Sequence, residues 1–275
     1  MKLKVKLFNK KLIKQFSSII SIVTTIFSFI VIFWDIPSKY KINFGIAFCI
    51  VFILIYLILW IHANLLNKIA LKINNSSIEI KIGDIFKEND YKVIAFNEYF
   101  DTIVDNRLIS ERTLNGIFIK DKINNLSQFD DKILNDSHLN SRQIEINNNR
   151  LIGKKIKYKL GSIFVYDNYF LTAFSKFDEN NRAYLSINDY MNFLLEFWNE
   201  VDIFYSGKSV AIPLLGSGIT RFKEYNAISE QELLELLIWS FKISKIKFTY
   251  PSKVSIIIHK SKSDKINFYS LKEKE

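Results

Sequence analysis

The sequence predicts an all-α transmembrane hairpin followed by an α/β domain built on a mixed sheet flanked by helices. Three observations carry the expectation. Two uncharged apolar runs, Gln15–Trp34 and Ile42–Ile61, stand close together near the N-terminus. Lysines crowd ahead of the first of them. Beyond about residue 73, short alternating apolar segments give way repeatedly to helical periodicity.

Each apolar run spans about 30 Å as a helix at roughly 1.5 Å per residue, the thickness of a bilayer's hydrocarbon core. A signal peptide fits poorly, because the first run is too long and no small-residue cleavage site separates it from the second. Trp34 and Tyr40 flank the link and Trp60 lies near the far end of the second run, where amphipathic rings prefer the headgroup layer. Lys2, Lys4, Lys6, Lys10, Lys11 and Lys14 precede the first run, whereas the link Asp35–Lys41 holds Lys39 and Lys41 against Asp35. The positive-inside rule then places both termini in the cytoplasm and the lysine-rich N-terminus against anionic lipid. The expected organisation is residues 1–72 as the N-terminus plus two spans, about 15–34 and 42–61, and residues 73–275 as a cytoplasmic domain.

On the first span Ser17, Ser21, Thr24 and Ser28 share one helix face. They either pack helices together, or tie their hydroxyls back to their own helix carbonyls. Gly45 and Cys49 form a weak small-residue contact on the second span. Two spans cannot enclose a pore alone, so a channel-like role requires a homo-oligomer.

In the second module Ile78, Ile80 and Ile82 alternate with Glu79 and Lys81 as a half-buried strand stopped by Gly83-Asp84, and Val93–Phe96 is a shorter buried run ending at Asn97. Lys154–Lys159, Ser162–Tyr166, Tyr169–Ser175, Val210–Leu214 and Val254–His259 read as further strands. Ser127 with Asp130, and Ser229 with Glu232, have capping-box spacing. Met191, Leu194, Leu195, Trp198 and Val201 mark the core face of a helix over about 187–205.

Charge and composition remove several classes. The net charge is +10, yet residues 1–72 hold ten lysines against Asp35 alone, leaving the second module close to neutral. No basic groove for nucleic acid is indicated there. The single cysteine excludes an intramolecular disulfide, and His62, His138 and His259 are too scattered for a zinc site. No metal or redox cofactor is indicated.

Ligands of open α/β sheets sit beyond the carboxyl ends of strands. Three segments meet that condition: Gly83-Asp84-Ile85, Asn97-Glu98-Tyr99-Phe100-Asp101-Thr102 with Asp105 following, and Pro213-Leu214-Leu215-Gly216-Ser217-Gly218-Ile219-Thr220-Arg221. Glycines let successive N–H groups converge on an anion, which makes the third a candidate phosphate cradle, although Gly-Ser-Gly alone is also an ordinary turn. Together, in this order, the three resemble a macro domain over roughly residues 73–260. Residues 95–102 and 214–222 are similar to the macro branch of bacterial Thoeris anti-phage effectors, some of which carry two N-terminal transmembrane helices.

The resemblance implies a macro-domain fold and an ADP-ribose-derived ligand. Asp84 would accept the adenine amino group, with the Ile85 N–H assisting. Gly216, Ser217, Gly218, Ile219 and Thr220 would offer main-chain donors to the diphosphate, and Arg221 would add charge there or face solvent. Asn97 falls beside the distal ribose. Glu98, Asp101, Thr102 and Asp105 lie near the distal end, where the acids either receive a cationic group or form a solvated acidic loop. The resemblance further implies a TIR-domain enzyme that makes histidine-linked ADP-ribose from NAD, and a location in the bacterial inner membrane. Hydrolysing macro domains continue from the asparagine into a glycine-rich loop, whereas this chain has no glycine between Asn97 and Gly116. Signal sensing is therefore expected in place of turnover. An anchored ADP-ribosyl hydrolase and a tethered ADP-ribose-binding scaffold are the alternatives.

Overall fold

The computed structural model describes all residues except 1, 2, 35, 219, 224–227, 274 and 275. Lys2 and Asp35 of the charge argument and Ile219 of the glycine loop thus lie outside the described residues. The described chain divides into two compact units, Met1–Asn67 with Ile266–Glu273, and Lys68–Lys265. The sequence reading begins its second module at residue 73, a few residues later.

In the first unit α1 (Lys10–Phe33) starts at Asn9, whose side chain accepts the N–H groups of Lys11 and Leu12. After a 3₁₀ turn at Ser38–Tyr40, α2 runs over Lys41–Leu65. Both helices are long and apolar enough to cross a membrane, and none of their apolar windows is buried by the protein. They meet through aromatic rings, Phe16 against Tyr56 at 5.2 Å and Phe27 against Phe48 at 4.6 Å. Ser21 Oγ donates to the Ser17 carbonyl and Thr24 Oγ1 to the Ile20 carbonyl. These two hydroxyls are satisfied within their own helix, as the second reading of the stripe holds. A Cβ on Gly45 would meet nothing within 4 Å, so no close helix contact uses it here.

Near the start of α1 and the end of α2 a small polar core forms. Asn64 is buried, and its Oδ1 accepts the N–H groups of Lys4 at 2.8 Å and Val5 at 3.0 Å, while Nδ2 donates to the Trp60 carbonyl. Trp60 Nε1 donates to the Val5 carbonyl. The C-terminal segment joins this core. Tyr269 packs with Val5, Leu12 and Ala63 and donates to Gln15, Asn267 Nδ2 donates to the Lys4 carbonyl, and Lys11 Nζ donates to the Ser270 carbonyl. Nothing in the sequence pattern announces this return.

In the second unit the elements follow as β1 (Lys68–Ile73), β2 (Ser76–Ile82), β3 (Tyr91–Asn97), α3 (Leu114–Lys122), α4 (Leu126–Leu134), α5 (Ser137–Ser141), β4 (Gln143–Ile146), β5 (Ile156–Tyr158), β6 (Ile163–Tyr166), β7 (Tyr169–Phe177), β8 (Ala183–Leu185), α6 (Ile187–Phe204), β9 (Val210–Pro213), β10 (Arg221–Phe222), α7 (Glu230–Ile243) and β11 (Val254–Ile258). The main sheet has the order β1-β2-β11-β9-β3-β7-β8-β10, with β6 pairing β7 off this path, and β4-β5 forms a separate ribbon. The run from β2 to β7 is parallel, whereas β1, β6 and β8 pair antiparallel, so the sheet is mixed as expected.

The helices form where their faces are apolar and their ends capped. Capping boxes at Ser186 with Asp189 and at Ser229 with Glu232 start α6 and α7. Their buried faces meet where Trp198 stacks edge-on against Phe241 at 5.0 Å and donates to Ser240 Oγ at 2.9 Å. Another core joins Ile94 and Phe96 of β3 to Phe118 of α3, Phe129 of α4 and Leu139 of α5. Full burial of each such ring contributes about 1.5–3 kcal/mol. One expected cap moves: Asn125 caps α4 by accepting the Gln128 N–H, which leaves Ser127 inside the first turn, and Asp130 turns elsewhere.

Candidate functional site

The parallel strands bring all three candidate segments to the carboxyl end of the sheet. Ile82 of β2 pairs with Ile258 of β11, and Ile257 pairs with Pro213 of β9, so the carboxyl ends of all three align. Gly83 donates to the Ile258 carbonyl at 3.0 Å, which sets Asp84 at this edge. Half-buried Asp84 caps a 3₁₀ turn over Ile85–Lys87 with one carboxylate oxygen, taking the Phe86 N–H at 3.1 Å. Ile85 is buried beneath it with Ala211 and Ile257.

The glycine segment leaves β9 at the same end. Leu214 and Leu215 are buried, and the Leu214 carbonyl accepts both Ser217 N–H and Ser217 Oγ. Gly216 has φ +85, a left-handed conformation that only glycine adopts freely. Tyr190 OH donates to the Leu215 carbonyl from below, and burial pushes that phenol's pKa up. Among the described residues the Gly216 and Gly218 N–H groups donate to no protein acceptor. Thr220 is half-buried, and Arg221 is exposed at the start of β10 without an ion-pair partner among the described residues. In the sheet order β3, β7 and β8 lie between β9 and β10. β3 pairs with β9 only at Tyr91 and Lys92, whereas it pairs with β7 from Lys92 to Asn97.

The third segment ends β3, and most of its polar groups are engaged within the chain. Asn97, Glu98, Asp101 and Thr102 are all buried. Asn97 Oδ1 accepts the N–H groups of Tyr99 and Asp101, and Asn97 Nδ2 donates to Asp101 Oδ2 at 2.9 Å. Asp101 also accepts Lys154 N–H at 2.7 Å and both terminal nitrogens of Arg150, at 3.0 and 2.6 Å. Burial pushes the Glu98 carboxyl up, opposed by Lys157 at 3.6 Å and by the Phe177 N–H at 3.2 Å. Thr102 Oγ1 donates to Asp130, which forms an ion pair with Lys154; burial pulls the Lys154 ammonium down and Asp130 resists that shift. Asp105 stands apart, exposed, its carboxyl held below the usual range by the N–H groups of Leu108 and Arg107. The acids expected near the distal end are thus a buried ion-pair network and a turn cap.

Arg150, Lys154 and Asn181 of this network are not marked by any sequence motif, since they approach from segments about 50 and 80 residues away. The only local signal is Gly153, φ +91, where a Cβ would come within 2.5 Å of Asp101 Oδ1. A second buried cluster is hidden from the sequence for the same reason: Glu200 accepts His138 Nε2 at 2.7 Å, the Ile163 N–H, and Arg142 Nη2. Surface cavities of about 440 Å³ at Asn74 and Lys245, and about 430 Å³ at Asp90 and Ser209, lie at the opposite, amino ends of the strands. The candidate site is defined by aligned strand ends and unpaired N–H groups instead.

The family model for the macro domain of Thoeris protein ThsA matches residues 78–259. The chain belongs to the Thoeris ThsA family. Thoeris protein ThsA of Bacillus amyloliquefaciens (strain Y2) is 41% identical over 263 residues, covering 94% of this chain and 88% of that relative. Similarity to ThsA therefore extends through the apolar hairpin. Among solved structures, the Oceanobacillus iheyensis macrodomain with ADP aligns at 12% identity and TM-score 0.45, covering 75% of this chain and 93% of the other. The same macrodomain with MES bound aligns at 12% and TM-score 0.46, covering 75% and 94%. These remote likenesses assign no residue. As a ThsA-family chain, the protein is an anti-phage defence effector built on a macro domain and preceded by two helices able to cross a membrane.

Proposed function

We propose that the chain senses an ADP-ribose-derived signal through its macro domain and responds by disrupting the bacterial inner membrane through oligomerised helices. The signal is histidine-linked ADP-ribose made from NAD by a TIR-domain enzyme, and it is bound without being turned over. The observation that carries this reading is the meeting, at one sheet end, of Asp84 and the Gly216–Gly218 loop with unpaired N–H groups. An acceptor for an amino-bearing base and main-chain donors for a diphosphate are what such a nucleotide requires. Asp84 and the Ile85 N–H read adenine, residues 216–220 with Arg221 hold the diphosphate, and Asn97 meets the distal ribose. Glu98, Asp101 and Thr102 shape the distal end from beneath, and Asp105 caps its own exposed turn. The apolar helices supply the output. A ligand shifts an equilibrium only by preferring one state, and one hairpin cannot form a conduit, so the bound state differs in assembly. Both termini then lie in the cytoplasm.

Calorimetry and mass photometry of the detergent-solubilised full chain test this with ADP-ribose and its histidine conjugate. Saturable binding together with larger or rearranged assemblies is expected, and signal in cells depolarises the membrane. Absence of binding to both compounds overturns the sensing role. Release of free ADP-ribose from the conjugate moves the protein to the hydrolases.

A further inference from the structure

Arg150 is placed as a part made for fixing orientation. It is 6% exposed at its side chain, and its guanidinium carbon lies 4.0 Å from the centre of the Tyr99 ring. Its two terminal nitrogens make four contacts, to Asp101 Oδ1 and Oδ2, the Lys154 carbonyl and Asn181 Oδ1. The plane of the guanidinium is therefore determined, and with it the plane of the Asp101 carboxylate. Asp101 in turn takes one hydrogen of Asn97 Nδ2, while Asn97 Oδ1 takes two backbone N–H groups. A flipped amide would set Nδ2 against two donors, so only one orientation is allowed. In that orientation Asn97 keeps one N–H with no acceptor among the described residues, at the carboxyl end of β3. A group that can answer a lone amide donor is a hydroxyl oxygen of a sugar.

We propose that Arg150 is a positioning residue for the distal sugar of the ligand, acting through Asp101 on the amide of Asn97. The proposal rests on the ADP-ribose reading above and assigns to the turn at residues 147–154 a part in ligand selection. Asp101 also changes its role, because its charge is spent on Arg150 and it orients a donor without itself touching the ligand.

The test compares ADP with ADP-ribose, which differ by the distal sugar, on the detergent-solubilised full chain. Arg150→Lys keeps a cation against buried Asp101 but cannot span both oxygens. Asn181→Ala removes a single contact and leaves the ion pair in place. Wild type is expected to prefer ADP-ribose. In Arg150→Lys that preference should fall by about tenfold while ADP affinity stays within about twofold, and Asn181→Ala should move the same way by less. An unchanged preference in both variants, or a parallel loss of affinity for both nucleotides, overturns the proposal and leaves Arg150 a structural brace. If wild type binds neither nucleotide, the ADP-ribose reading itself is overturned, and this inference falls with it.

Discussion

The two glycines of the loop separate folding from binding. Gly216 has φ +85, and a Cβ there would stand 3.2 Å from Phe222 Cζ and 3.3 Å from Leu233 Cδ2, both side-chain ends. Left-handed backbone costs a non-glycine residue about 1–2 kcal/mol. Gly216→Ala should therefore lower the unfolding midpoint by about 2–8 °C for a domain of this size. Gly218 is different: its φ lies outside the left-handed region and a Cβ meets nothing within 4 Å. Gly218→Glu should leave the midpoint where it is. Its carboxylate, about 7 Å from a bound phosphate charge at an effective dielectric of about 20–80, would oppose binding by about 0.6–2.4 kcal/mol per charge. For a diphosphate that is a loss of about tenfold or more, shrinking as salt is raised. Differential scanning fluorimetry and titration calorimetry at two ionic strengths read both effects. Wild-type affinity in Gly218→Glu at low salt refutes the cradle, and an unmoved midpoint in Gly216→Ala refutes the backbone argument.

Asp84→Ala removes the carboxylate proposed to read adenine, so affinity for ADP-ribose should fall about tenfold to a hundredfold, the equivalent of about 1.5–3 kcal/mol, with pyrophosphate affinity unchanged; equal losses for both would reassign Asp84 to the fold. Burial pushes Glu79 up, but the hydrogen bonds and charges of Lys253 and Lys68 outweigh it and hold the carboxyl at about 2 instead of 4.5. Because the folded value is the lower one, this stabilisation is complete above pH 4.5 and disappears as pH falls toward 2. It amounts to at most about 3 kcal/mol and less in practice, since Lys68 is exposed. Unfolding midpoints of Glu79→Gln should show a shallower acid decline than wild type. Asn64→Ala strands the Lys4 and Val5 N–H groups, at about 1–3 kcal/mol each. Limited proteolysis in detergent should then cut residues 3–8 faster, and unchanged cleavage would show that Asn64 does not hold this segment.

Local signals are legible in the sequence and distant ones are not. The α6 core stripe, the Ser229 cap and the alternation of β2 are written within a few residues, and the hairpin declares itself by an absence of charge. The α4 cap is ambiguous because Asn125 and Ser127 each precede an acid or amide by three residues, and the tie is broken by Thr102 and Lys154, which claim Asp130 from far along the chain. Strand β1 alternates in burial, with Ile69, Leu71 and Ile73 inward, yet it follows the second apolar run so closely that its start reads as helix flank. The functional segments are visible because glycine and aspartate after a strand are local features. That Asp101 meets Arg150, rather than a ligand, depends on a contact about 50 residues away, which no spacing rule encodes.

The C-terminal segment makes the macro domain an insertion in the hairpin unit. The chain leaves that unit after Asn67 and re-enters it at Ile266. The two units are thus linked through two joints of the chain rather than one. The second joint follows β11 after a 3₁₀ segment at Lys260–Lys265, and the carboxyl end of β11 borders Asp84. A reporter fused to the C-terminal segment therefore reads the unit that holds the apolar helices, because Tyr269 and Asn267 are anchored there to Gln15 and Lys4.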